Sequence, residues 1–195
     1  RHSRQNAVGF ERLPHVATTT PAMTKTEYRR IRKSLQEERL LRTYADWSAH
    51  VEEAKTTDTE LTPIVPIEVT RGGWEGWRKR HPEHRGLESL RRYANDLFNR
   101  RAREFLAAAR EMKNDISPPR TYIVVGTEVI GQDARNDISH IASIRQRRNA
   151  APEVRPLVSN ARIPHEHALS LAAAYAVREG VDAVFWRLDL HFAWT

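Results

Sequence analysis

Nine histidines are the first residues of this sequence whose spacing could support chemistry. His165-Glu166-His167 opens one periodic segment, His81-Pro82-Glu83-His84 precedes another, and His191 sits in an alternating run near the end. Zinc needs three or four ligands converging at about 2.0–2.3 Å. His-x-His at a helix start presents two ligands less well than a four-residue helical spacing, so no metal site is expected. The same groupings would serve as an acid–base centre only where the fold brings partners to them, and that third reading rests on His165 or His167. With no cysteine in the chain, a thiol nucleophile, a disulfide framework and cysteine-ligated zinc are excluded. Val125-Gly126-Thr127 lacks the later glycines and the lysine of a phosphate-binding loop, and no dinucleotide fingerprint is present. The expectation is therefore of a non-enzymatic chain, with no catalytic residue and no cofactor.

A second constellation is aromatic and cationic. Trp74-Glu75-Gly76-Trp77 sets two tryptophans three residues apart beside Arg78, Lys79 and Arg80. Such rings stack on bases or cations, or they pack a short helical turn onto the core, which is the commoner outcome. Arg145, Arg147 and Arg148 form another basic cluster. The net charge is +7, and only five of the 32 basic residues are lysine. Arginine makes bidentate contacts to carboxylates and phosphates and tolerates partial burial, which suits interfaces or nucleic acid.

These residues must be positioned by the elements around them. At 39% hydrophobic and 29% charged, with a mean hydropathy of −0.67, the chain suits one domain with extended arms, and it has no apolar run of about 18 residues to span a membrane. The strongest element is the stretch 86–113, whose apolar residues recur at steps of three and four, predicting a long amphipathic helix. Arg101 projects into the middle of its apolar arc, where a guanidinium needs an anion or carbonyl to meet it. Thr24 to Glu27 has capping-box spacing and opens a helical stretch reaching about residue 54. Tyr28, Ile31 and Leu35 share one side of it, whereas Leu40, Tyr44, Trp47 and Val51 lie far around. Either the helix breaks near Gln36–Glu38, or it stays straight and bridges two bodies. Tyr28-Arg29-Arg30-Ile31-Arg32 resembles the helix opening of small mitochondrial LYR proteins over five residues, with Glu27 where those proteins carry leucine, and no function is carried over from it.

Residues 1–23 read as an extended basic arm held by a partner, with Phe10, Leu13 and Val16 as apolar anchors. Residues 55–83 read as an extended connector in which Pro63 and Pro66 exclude a helix and Ile64 to Val69 make a short edge strand. Within 84–195, Thr121–Ile130 and Val184–Trp194 are strands that pair, Ile138, Ile141 and Ile144 suit a short helix, and Pro164 to Glu179 is a helix closed by Gly180. The expected fold is α+β and helix-rich, with two long helices, a shorter C-terminal helix, a small sheet and an N-terminal arm.

Functionally, the leading expectation is a non-catalytic structural subunit of a large assembly, most plausibly a mitochondrial energy-converting membrane complex. Arg at position 1 fits a chain whose leader has been removed, or one that was trimmed. Phe10, Tyr28, Trp47, Trp74, Trp77 and Arg101 would meet the neighbouring protein subunits. The runner-up is an RNA- or DNA-binding protein, such as a mitochondrial ribosomal protein, with Arg78, Arg80, Arg145, Arg147 and Arg148 on phosphates.

Overall fold

Helices dominate the first half of the chain and strands the second, and the computed structural model describes residues 16–35, 42–115 and 117–188. In order they are β1 (Thr18–Ala22), α1 (Lys25–Ser34), α2 (Tyr44–Ala54), β2 (Ile64–Glu68), α3 (Arg71–Arg80), α4 (Gly86–Ala108), β3 (Arg110–Glu111), β4 (Thr121–Glu128), β5 (Ile138–Arg145), β6 (Glu153–Arg162), α5 (His165–Glu179) and β7 (Ala183–Leu188). β1 and β2 pair in parallel as a two-stranded ribbon. The other five strands form one mixed sheet in the order β3-β7-β4-β5-β6.

That sheet corrects the expectation of a helix-rich fold with a small sheet. The fold is α+β with a substantial sheet, and of the two long helices expected only the 23-residue α4 exists. The stretch expected from Thr24 to residue 54 is two helices. Thr24 caps α1, its hydroxyl accepting the Glu27 amide at 3.2 Å, and Leu35 ends it. Thr43 and Asp46 then form a complete capping box that starts α2. The change in apolar direction thus marks a helix break.

β5 and β6 are the elements the residue pattern concealed. Ile141 faces the helices while Ile144 joins a cluster on the opposite face of the sheet. A strand buried on both faces loses the simple alternation that identifies one, and its β-branched residues then mimic helical spacing. Pro156 is accommodated because β6 is an edge strand, where an absent amide leaves no ladder bond unmade. Next to it the register shifts between Ser139 and Ile141, where Asn160 takes a φ of 53° and donates its amide to His140 Nδ1.

α4 and α5 lie on one face of the five-stranded sheet, and the β1–β2 ribbon packs on both α4 and α5. One continuous core results. It joins Val65 and Ile67 of β2, Leu90, Leu97 and Phe98 of α4, Leu171 and Tyr175 of α5, and Ile123, Val125 and Val184 of the sheet. On the opposite face Tyr122, Val124, Ala142, Ile144 and Phe185 form a smaller cluster. β7 runs parallel to β4, pairing Tyr122 with Ala183 and Thr127 with Leu188, so the C-terminal ends of both strands meet the start of α5. α5 runs from His165 to Glu179 with Gly180 as its left-handed C-cap at φ 65°, as expected.

Trp74 is fully buried, and its indole N–H donates to Ser89 Oγ at 3.1 Å, tying α3 to α4. Trp74→Ala removes a large core side chain and should destabilise the protein by about 3–5 kcal/mol. Urea unfolding monitored by circular dichroism measures this directly, and a loss below about 1 kcal/mol would mean that the ring is a surface group.

Candidate functional site

Most residues that the sequence offers to partners are turned inward. Tyr28, Trp47, Trp74 and Trp77 are 2%, 4%, 0% and 5% exposed, so their faces are covered by this chain's own core. Tyr28 packs against Tyr44 and Trp47 at centroid distances of 5.8 and 6.3 Å. Trp77 donates its indole N–H to Asp96 at 2.7 Å and stacks with His81 at 4.3 Å and His84 at 5.8 Å. The core-packing alternative therefore holds for both tryptophans of the α3 motif, and no base can stack on them. Phe10, Leu13 and His191 lie outside the described residues.

Arg101 moves the other way. It is exposed, whereas Leu90, Ala94, Phe98, Ala102 and Leu106 are buried. Steps of four advance about 40° around a helix, so the buried stripe rotates along α4 and leaves Arg101 at its edge. Different neighbours along its length impose that rotation, since α4 touches α3, the β1–β2 ribbon, β7 and α5.

The arginine clusters separate into paired and open groups. Arg147 bonds Glu153 at 2.7 Å, and Arg145 stands opposite the same glutamate in the β5–β6 register. Bonding and charge from Arg147, with Arg145 and Arg155 adding charge, hold the Glu153 carboxyl below its ordinary range. Arg148 is exposed beside them. Arg78 lies over the Trp74 ring at 4.8 Å. Arg80 of α3 and Arg100 and Arg101 of α4, by contrast, act on Tyr93 only through their charge. Burial raises the Tyr93 phenol, and the three guanidinia pull it back toward its ordinary value. All three are exposed, and none forms an ion pair among the described residues. The nearby Asp96 carboxylate is occupied by the Trp77 indole. Beyond them Asp96, Asn99, Arg100, Arg103, Glu104 and Ala107 line an open groove along α4.

A different arrangement surrounds His165, at the junction of β4, β5, β7 and α5. Its Nδ1 lies 3.0 Å from Thr127 Oγ1, Thr127 Oγ1 lies 3.1 Å from Ser139 Oγ, and Ser139 donates to the Ile163 carbonyl at 3.1 Å. Counting protons fixes the direction of this chain. Ser139 spends its only hydroxyl proton on a carbonyl, so Thr127 must donate to Ser139, and His165 Nδ1–H must donate to Thr127. The imidazole lone pair is then on Nε2, which has no hydrogen bond among the described residues. Thr127 and Ser139 are 1% and 0% exposed, which excludes either as a nucleophile and makes them the fixings of the ring. Trp186 meets the imidazole edge-on at 5.3 Å. His167 takes no part, and among the described residues no three His, Asp or Glu side chains converge as a metal site requires.

Comparison with protein-family models, with curated proteins and with solved structures gives no match. The site is thus read from its own geometry. Sequence reasoning reached His165 through its grouping with His167, but it missed Thr127 and Ser139, whose partners come from distant parts of the chain. It also missed Tyr93, Arg100 and Arg103. For these a signal existed, namely repeated arginines on α4 at positions that a rotating buried stripe leaves outside.

Burial lowers the His165 pKa, against opposing fields from Asp137 and Glu166. The unfolded chain therefore binds the proton first as pH falls. Stability is fully present above the ordinary histidine value of about 6.5 and declines as pH drops from there toward the folded value. His165→Gln should flatten the dependence of the urea midpoint between about pH 7.5 and 5.5. An unaltered slope would contradict the assigned burial of the imidazole.

Proposed function

We propose that this chain binds nucleic acid through its α3–α4 surface, contacting phosphates rather than reading bases. The observation that carries the reading is that Arg80 of α3 and Arg100 and Arg101 of α4 are exposed and have no carboxylate paired to them among the described residues. Arginines held on rigid helices are pre-organised for bidentate phosphate contacts. Asn99 and Arg103 continue the donor surface along the α4 groove. A net charge of +7 favours approach of a polyanion from solution. Arg145, Arg147 and Arg148 are secondary, because Glu153 already draws on the charge of that cluster. Arg78 is engaged by Trp74, and base stacking has no part in the proposal because both α3 tryptophans are inside.

The bridging role in a larger assembly has less to rest on. Its aromatic contact residues are buried within the chain, and its basic arm lies mostly in residues 1–15, outside the described part.

Fluorescence anisotropy with a single-stranded and a duplex oligonucleotide, across a salt series, tests the proposal. Three neutralised phosphates predict a log affinity falling with log salt at a slope near −3, since each contributes about −0.9 on duplex DNA. Replacing Arg80, Arg100 and Arg101 together by Gln should remove most of that slope, while the same change at Arg145, Arg147 and Arg148 should remove less. Affinity that is flat between about 50 and 200 mM salt rules the reading out. Protein partners that stay bound after nuclease treatment would instead favour the bridging role.

A further inference from the structure

We propose that the turn between α3 and α4 is a proton-controlled extension of the phosphate-binding surface, in which His81 and His84 gain charge on either side of Glu83 and tighten nucleic-acid binding as pH falls. This inference rests on the nucleic-acid reading and names the regulation of the same surface.

The turn His81-Pro82-Glu83-His84 is closed by the His84 amide, which donates to the His81 carbonyl at 3.2 Å. It sets one carboxylate oxygen between two imidazoles. Glu83 Oε1 lies 3.5 Å from His81 Nδ1 and 3.4 Å from His84 Nε2. Both rings also lie nearly parallel to the Trp77 ring, at centroid distances of 4.3 and 5.8 Å and interplanar angles of 25° and 14°. The Trp77 indole N–H bonds Asp96 at 2.7 Å, and Asp96 lines the α4 groove with Arg100 and Arg103. A continuous set of contacts therefore joins the two histidines to the groove. Arg80, the last residue of α3, precedes His81 directly in the chain.

Charge decides what this corner does. With both rings neutral it carries only the Glu83 carboxylate, which repels a phosphate. With both rings protonated its net charge is positive. Imidazole is the side chain whose charge changes between about pH 5 and 8. Glu83 stays ionised through that range, its own backbone amide and then the two imidazoles holding its carboxyl below the ordinary range. The carboxylate favours the first proton, whereas the second meets repulsion from the ring already charged, so the two histidines titrate as a coupled pair. Each imidazolium also stacks against the Trp77 ring, whose face attracts cations. The other charged or titratable groups around the turn are Arg78, Lys79 and Arg80 of α3, Arg85 just before α4, and Asp96 and Tyr93, which meet Trp77 from α4. Among these groups only His81 and His84 are imidazoles. Their side chains are 40% and 26% exposed, open both to solvent protons and to a phosphate passing along the surface.

The experiment is fluorescence anisotropy of the full chain with a rhodamine-labelled duplex oligonucleotide, at fixed ionic strength, between about pH 8 and pH 5.5. Affinity should rise at least about threefold as pH falls across that range, and the salt slope should steepen by about one, since each added phosphate contact contributes about −0.9. Replacing His81 and His84 together by Gln should remove most of that rise. Glu83→Gln, which deletes the negative charge, should tighten binding already at pH 8. In the wild type, the ring protons of His81 and His84 followed by nuclear magnetic resonance should titrate in two coupled steps over the same range. Salt-dependent binding that is flat with pH, or a pH-driven rise that the double variant keeps, overturns this inference and leaves the nucleic-acid reading standing. Absence of salt-dependent binding at every pH overturns both. The wild-type profile and Glu83→Gln decide the matter even where the double variant does not fold.

Discussion

The structure depends on burying α4 along its whole length against neighbours on different sides. The helix touches α3, the β1–β2 ribbon, β7 and α5 along its length, so its apolar surface must turn as it goes. Fixed hydrogen bonds hold the N-terminal elements to that spine and to each other. Trp74 and Trp77 reach α4 through Ser89 and Asp96. The Glu27 carboxylate accepts the Arg71 amide at 2.6 Å, which sets α1 on the start of α3. From the other side, Tyr175 of α5 donates to the Glu60 carbonyl at 2.8 Å, and Arg178 bonds Asp58 at the same distance, fastening the segment before β2. Burial pushes the Tyr175 phenol up to about 12, consistent with a hydroxyl committed to donating.

One consequence is a separation of aromatic from cationic residues. Once α3 lies on α4, its tryptophans become core and its basic residues become rim. Arg80 is then exposed on α3, and Arg100 and Arg101 are exposed on α4. At Gly73 an added Cβ would come within 2.1 Å of the Tyr93 hydroxyl, so the absence of a side chain there lets the phenol seat against α3. Among the described residues Arg80, Arg100 and Arg101 form no ion pair, although Asp96 and Glu104 share the α4 groove with Arg100 and Arg103.

Elements governed by local chemistry were legible in the sequence. Thr24 and Gly180 mark helix ends because capping oxygens and left-handed residues act within a turn. The pairing of β4 with β7 followed from two apolar runs of strand length. What escaped was set at a distance. β5 and β6 are buried or edged in ways that hide alternation, and the ribbon strand β1 gains its identity only from β2. Arg101 was misplaced because a fixed helical period cannot show a stripe that rotates against several neighbours. The His165 relay joins residues 12 and 38 positions apart, and no window of sequence contains it.

The central claim is that α3, α4 and the sheet share one core, so that the α3 tryptophans are interior and the arginines around Tyr93 are held on a rigid body. Native-state hydrogen exchange tests this most directly, read at the indole N–H of Trp74 and Trp77 and at the backbone amides of α4 and β4. The indole protons and the central amides of both elements should exchange with one common opening free energy, equal to that of global unfolding. Indole protons that exchange at a much lower free energy than the β4 amides would show α3 opening on its own, and the rigid arginine surface would go with it.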